Sequence, residues 1–134
     1  MVNLGNALVV EDDYLIALDL RESLMSRGFK SIEMVANAED ALARVQAGGL
    51  DLVTLDIKLA DETSDNVAAA LHAQGTPFII VTAYRPSDAL QVSGAPWITK
   101  PFDEGRLQDA IETVVKRGGR LPSAVPTREM LNAI

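Results

Sequence analysis

The chain has 134 residues, 48% hydrophobic and 23% charged, which suits one ordinary globular domain able to bury a core. It contains no cysteine, which excludes a disulfide framework and any Cys-based zinc or redox site and points to a reducing compartment, the cytoplasm. A formal charge of −7 argues against nucleic-acid partners, which need clustered Lys and Arg, and apolar runs such as Phe78-Ile79-Ile80-Val81 fall far short of the roughly 20 residues that cross a bilayer.

Short β-branched runs alternate with longer amphipathic segments. In chain order the pattern predicts strand Ala7–Val10 and helix Tyr14–Arg27, then strand Ser31–Val35 and helix Ala38–Gln46. Strand Leu52–Leu55 and helix Asn66–Gln74 follow, then strands Phe78–Val81 and Trp97–Thr99 and helix Glu104–Lys116. Such alternation implies a parallel sheet with crossover helices. The first helix carries Ile16, Leu20 and Leu24 on one face and stops at Gly28, with Phe29 as the hydrophobic partner of a glycine cap. Asn37 caps the second helix, whose buried stripe is Ala38, Ala41, Leu42 and Val45. Asp103 caps the last, with Leu107, Ala110, Ile111 and Val114 facing inward. The interval from Thr82 to Lys100 holds Pro86, Gly94 and Pro96, so any fourth helix is confined to about Ser87–Val92, and we expect a mobile segment there. The expected domain spans residues 1–117. Residues 118–134 read as a C-terminal tail with one helical turn near Arg128–Ala133 and no second domain after it, and the basic cluster Lys116, Arg117 and Arg120 as a solvated helix end.

In open α/β sheets ligands bind beyond the carboxyl ends of the strands, so the polar residues that follow each apolar run matter most. Strand one is followed by Glu11, Asp12 and Asp13, strand three by Asp56, strand four by Thr82, and strand five by Thr99 and Lys100. Carboxylates held together repel one another unless a cation sits between them, and Mg²⁺ suits an all-oxygen site that keeps positions open for phosphate oxygens. His72 is the only imidazole, which leaves zinc or copper without ligands; it reads as a packing residue of the third helix. A carboxylate can also act as nucleophile toward phosphorus when positive charge surrounds the transferred oxygens. Asp56 has that position, with Lys100 as the cation and the Thr82 hydroxyl and the next backbone N–H, that of Ala83, as further donors. Singly, each feature has a plainer explanation: a solvated acidic turn, a strand-end cap, a structural Thr, a Lys-Pro turn. All four in this order on this pattern do not.

The stretches Val9-Val10-Glu11-Asp12, Leu55-Asp56, Val81-Thr82-Ala83 and Thr99-Lys100-Pro101-Phe102 resemble the motifs of response-regulator receiver domains, over about residues 5–117. The resemblance implies an α/β, doubly wound, five-stranded parallel sheet of order 2-1-3-4-5, flavodoxin/CheY-like, with a short or irregular fourth helix. It implies Asp56 as phosphoacceptor, and Mg²⁺ held by Asp12, Asp56, the Lys58 backbone carbonyl and, through water, Glu11. It further implies Thr82 and Lys100 on the phosphoryl group, a cis Lys100–Pro101 peptide, and Thr82 with Trp97 as the switch pair.

Pro77-Phe78 and Val81-Thr82-Ala83-Tyr84 are similar to an alphaproteobacterial branch with a Pro-Phe…Ala-Thr-Gly-Tyr-like motif, often stand-alone phosphorelay proteins, although Ala83 stands where that branch has Gly. Expected partners are a sensor histidine kinase or histidine phosphotransferase as donor and a downstream protein target, without nucleic acid or membrane. Lys58 and Tyr84 flank the site and are expected to shield the phosphoryl group and slow self-dephosphorylation. An aspartyl-phosphate phosphatase would need an Asp where Lys58 stands, and a flavodoxin-like carrier a Ser/Thr/Gly-rich loop where Glu11-Asp12-Asp13 stands. A phosphorylation-independent adaptor would use the fold alone.

Overall fold

The computed structural model describes residues 3–84 and 95–116. The elements run β1 (Gly5–Val10), α1 (Tyr14–Arg27), β2 (Phe29–Val35), α2 (Ala38–Ala47) and β3 (Leu52–Leu55). They continue with a small hairpin of β4 (Lys58–Leu59) and β5 (Glu62–Thr63), then α3 (Asp65–Gln74), β6 (Phe78–Thr82), β7 (Trp97–Thr99) and α4 (Glu104–Lys116). The main sheet is five-stranded and parallel in the order β2-β1-β3-β6-β7, which is 2-1-3-4-5 once the hairpin is left out of the count. The short helix expected at Ser87–Val92 and the turn expected at Arg128–Ala133 lie outside the described residues. Among the described residues no helix is long and apolar enough to cross a membrane.

The central strands β1, β3 and β6 are buried along most of their length and mostly apolar, Thr54 of β3 being an exception, because both faces are covered. Successive side chains point to opposite sides, so Leu8, Val10, Val53, Leu55, Phe78 and Ile80 pack with α2 and α3, whereas Ala7, Val9, Leu52, Ile79 and Val81 pack with α1 and α4. Of the helix stripes read from spacing, Leu20 and Leu24 of α1, Ala38, Ala41 and Val45 of α2, and Leu107, Ala110, Ile111 and Val114 of α4 are buried, while Ile16 and Leu42 are half-buried at the margin of the core. Edge strands β2 and β7 are wetter, as their mixed burial shows.

Caps set where the helices begin and end. Gly28 closes α1 at φ 121°, with its N–H on the Leu24 and Met25 carbonyls, and Phe29 is buried at once behind it. Asn37 Oδ1 accepts from the Asp40 N–H at 2.8 Å to start α2, and Asp103 Oδ1 accepts from Gly105 N at 2.7 Å to start α4. The hairpin was not visible in the sequence. Its strands have two residues each, too short for alternation to register, and its turn is Ala60-Asp61 instead of a glycine-containing pair.

Candidate functional site

Strands β1, β3, β6 and β7 end on the same edge of the sheet and deliver their polar residues there. Parallel register aligns Val10 with Leu55 across β1 and β3, so the residues that follow, Glu11 and Asp56, leave the sheet side by side. The chain is held there by backbone bonds: Asp56 N–H donates to the Val10 carbonyl at 3.1 Å, and Glu11 N–H to the Val35 carbonyl at 3.0 Å. On the far side Thr82 and Thr99 are register partners, and the Lys100 N–H donates to the Thr82 carbonyl at 2.7 Å.

Three carboxylates converge. Glu11, Asp12 and Asp56 each place a carboxylate oxygen within 4.8 Å of the others; Glu11 and Asp56 are buried and Asp12 is exposed. The third acid of the sequence cluster does something else, because Asp13 Oδ1 accepts from the Leu15 and Ile16 N–H groups at 3.0 and 3.3 Å and caps α1. Lys100 enters from β7, its Nζ 2.8 Å from Asp56 Oδ2 and in contact with Glu11 Oε1. The Lys100–Pro101 peptide is cis.

The charges do not balance. Burial pushes the Glu11 carboxyl above its ordinary pKa against the opposing pull of Lys100 and the Asp13 N–H, and the charge of Asp56 pushes it the same way. Burial would lower the Lys100 pKa, but its hydrogen bonds to Asp56 and Glu11 and their charges outweigh that and hold it above the ordinary lysine value. Among the described residues one ammonium, paired with Glu11 and Asp56, thus faces a cluster of three acids, and the oxygen-only donor set fits a hard divalent cation such as Mg²⁺.

Thr82 lies at the centre of the edge, fully buried, and its hydroxyl has no hydrogen-bond partner among the described residues. An orphan hydroxyl in such a place is costly unless some state of the protein uses it. Ala83 and Tyr84 follow on the surface. Lys58 Nζ stands 5.6 Å from the centre of the Tyr84 ring, and the Trp97 indole N–H donates to the Tyr84 carbonyl at 3.0 Å. The two flanking residues therefore meet each other, and half-buried Trp97 is tied to the loop that follows Thr82. His72 stands apart in the last turn of α3.

The model of the family "Response regulator receiver domain" matches residues 7–112, which run from within β1 to within α4. The chain belongs to that family. Among curated proteins this receiver domain is 32% identical over 120 residues to the sensory transduction protein RegX3 of Mycobacterium tuberculosis, covering 85% of this chain and 52% of that protein. It is 33% identical over 128 residues to the sensory transduction protein LytT of Bacillus cereus, covering 90% and 50%. The chain spans about half the length of these curated relatives. Among solved structures, SdrG from Sphingomonas melonis Fr1 is 32% identical with a TM-score of 0.74, covering 86% of this chain and 99% of that one. A CheY-like receiver domain protein from Methanospirillum hungatei JF-1 is 28% identical, also at 0.74, covering 86% and 96%.

Two contributors to the receiver site carry little sequence signal. Ser64 precedes α3 like a cap, yet its hydroxyl makes no capping bond and instead donates to the carbonyls of Asp56 and Ile57 at 2.7 and 3.2 Å, closing the loop behind Asp56. Ala60 contributes only its backbone N–H, which donates to Asp12 Oδ2 at 3.0 Å. A serine before a helix could have been singled out. A backbone donor on an alanine could not.

Proposed function

We propose that this receiver domain accepts a phosphoryl group on Asp56 from a phosphohistidine of a sensor kinase or histidine phosphotransferase, and that the modified form engages a downstream protein. The observation that carries the reading is the buried Asp56 carboxylate held against Lys100 inside a cluster of three acids. An Asp56 oxygen attacks phosphorus, the P–N bond to the donor histidine breaks, and the imidazole keeps the electron pair and leaves. Lys100 follows the negative charge from the Asp56 carboxylate onto a phosphoryl oxygen, and the Thr82 hydroxyl and Ala83 N–H donate to others. Asp12, Asp56, the Lys58 carbonyl and, through water, Glu11 would hold Mg²⁺, which supplies the charge neutralisation that lets a carboxylate approach a phosphoryl group.

Engagement of Thr82 with the phosphoryl group draws it toward Asp56, and Trp97 follows by giving up its bond to the Tyr84 carbonyl. The phosphoryl group binds the Thr-inward state better and thereby enriches it. Lys58 and Tyr84 follow Asp56 and Thr82 by two residues each and meet as one pair, and we assign them the exclusion of attacking water. The run from Pro77-Phe78 to Thr82-Ala83-Tyr84 supports placement in the stand-alone branch with the Pro-Phe…Ala-Thr-Gly-Tyr-like motif.

The test is incubation with acetyl phosphate and Mg²⁺, read by intact mass and by Trp97 fluorescence. Wild type gains a single phosphoryl adduct and a fluorescence change, both lost in Asp56→Asn and on chelation. An adduct that persists in Asp56→Asn overturns the assignment. Lys58→Ala and Tyr84→Ala each speed decay of the adduct; unchanged decay in both removes the shielding role.

A further inference from the structure

The hairpin behind the acceptor strand holds the one strained backbone position among the described non-glycine residues. Ala60 has φ 53° and is the first residue of the two-residue turn joining β4 to β5, a place where glycine is favoured. Such strain persists only where the surroundings impose it. Two contacts do so. At the tip, the Ala60 N–H donates to Asp12 Oδ2 at 3.0 Å, the only hydrogen bond that carboxylate makes among the described residues. On the returning strand, Glu62 Oε1 accepts from the Ala38 N–H at 2.6 Å. That N–H belongs to the first turn of α2, where helical N–H groups lack internal partners and the helix dipole favours a carboxylate. The base is closed by Ser64, whose N–H donates to the Ile57 carbonyl at 2.8 Å.

We propose that Glu62 is a positioning residue for the cation site. By fastening the hairpin to α2 it holds the Ala60 N–H against Asp12, and so fixes the one exposed carboxylate of the cluster in the orientation that faces Glu11 and Asp56. Asp12 needs such a fixture. Glu11 and Asp56 are held by burial and by Lys100, whereas Asp12 stands on the surface with the Ala60 N–H as its hydrogen-bond partner. Donors to a metal-binding carboxylate matter for affinity because they settle its orientation before the ion arrives. Glu62 acts one step further out, through the backbone of a strained turn. The proposal rests on the reading that this acidic cluster takes Mg²⁺.

The experiment is calorimetric titration of the full chain with MgCl₂ in wild type, Glu62→Ala, Glu62→Gln and Asp12→Asn, with amide exchange at Ala60 followed by NMR. Glu62→Ala weakens Mg²⁺ binding about tenfold, while Glu62→Gln stays within about twofold of wild type because its amide oxygen accepts the same N–H. Exchange at Ala60 is slow in wild type and in Glu62→Gln and fast in Glu62→Ala. Equal Mg²⁺ affinity in Glu62→Ala and wild type overturns the positioning role and leaves the cation site standing. So does an unprotected Ala60 amide in wild type, whatever the variants do. Absence of saturable Mg²⁺ binding in wild type, or binding indifferent to Asp12→Asn, overturns the cation site and this proposal with it.

Discussion

Replacing Lys100 by Met keeps an unbranched stem and removes the only ammonium in contact with the buried carboxylates among the described residues. In wild type the Asp56 and Glu11 side chains are 7% and 1% exposed and Lys100 is 13% exposed, so this is a buried cluster and screening by water is slight. Breaking a buried pair by deleting one partner costs about 3–5 kcal/mol, and because Glu11 can take up a proton, the low end, about 3 kcal/mol, is expected here. At roughly 4 °C per kcal/mol for a domain of this size, the metal-free variant melts about 12 °C below wild type.

The pH dependence has a definite sign. Lys100 has a raised folded pKa, so its contribution in wild type is complete below the ordinary lysine value of 10.5 and is lost only as pH rises through the folded value. In Lys100→Met, Glu11 loses the partner that opposed its burial, and its pKa climbs further. A carboxyl with a raised folded pKa penalises the folded state when ionised and ceases to do so once protonated, so the deficit shrinks as pH falls from 7 toward 5. Added Mg²⁺ shrinks it at pH 7. Thermal melts at pH 7 and 5, with and without MgCl₂, measure all of this. A melting temperature within about 2 °C of wild type at pH 7 without metal refutes the electrostatic reasoning.

The remaining predictions concern stability alone. Thr54 is buried in β3, and its hydroxyl has no partner among the described residues, so Thr54→Val keeps the shape and raises stability by about 1 kcal/mol in urea denaturation. A loss of stability would show that the hydroxyl is bonded after all. Ala60→Gly relieves a positive φ worth about 1–2 kcal/mol but adds unfolded-state freedom worth up to about 1 kcal/mol, for a net gain of about 0.5 kcal/mol in the same assay.

Most of the fold was legible because its code is local. Short β-branched runs bounded by turn residues read as buried strands, and glycine and side-chain caps mark helix ends, so Gly28, Asn37 and Asp103 stand where the spacing puts them. Shifts at strand ends are small: β1 begins at Gly5 and β2 at Phe29, each two residues before the start expected from hydrophobicity, because ladder bonds extend beyond the apolar run. The candidate site was legible for a different reason. A parallel sheet collects the residues after its strands at one edge, so strand order by itself brings Glu11, Asp56, Thr82 and Lys100 together.

The amino-acid sequence by itself determined the strands and the identity of the side chains that follow them, since these follow from periodicity and from which residue comes next, whereas the order 2-1-3-4-5 was implied by the resemblance of its motifs to those of receiver domains. Only the tertiary structure decided how the three adjacent acids divide, with Glu11 buried, Asp12 exposed in the cluster and Asp13 turned away to cap α1. It also decided that Lys58 meets Tyr84, that Trp97 bonds the Tyr84 carbonyl, and that an alanine N–H in a strained turn secures Asp12. Those outcomes depend on the directions of single side chains and backbone groups in three dimensions, which no pattern of residue types encodes.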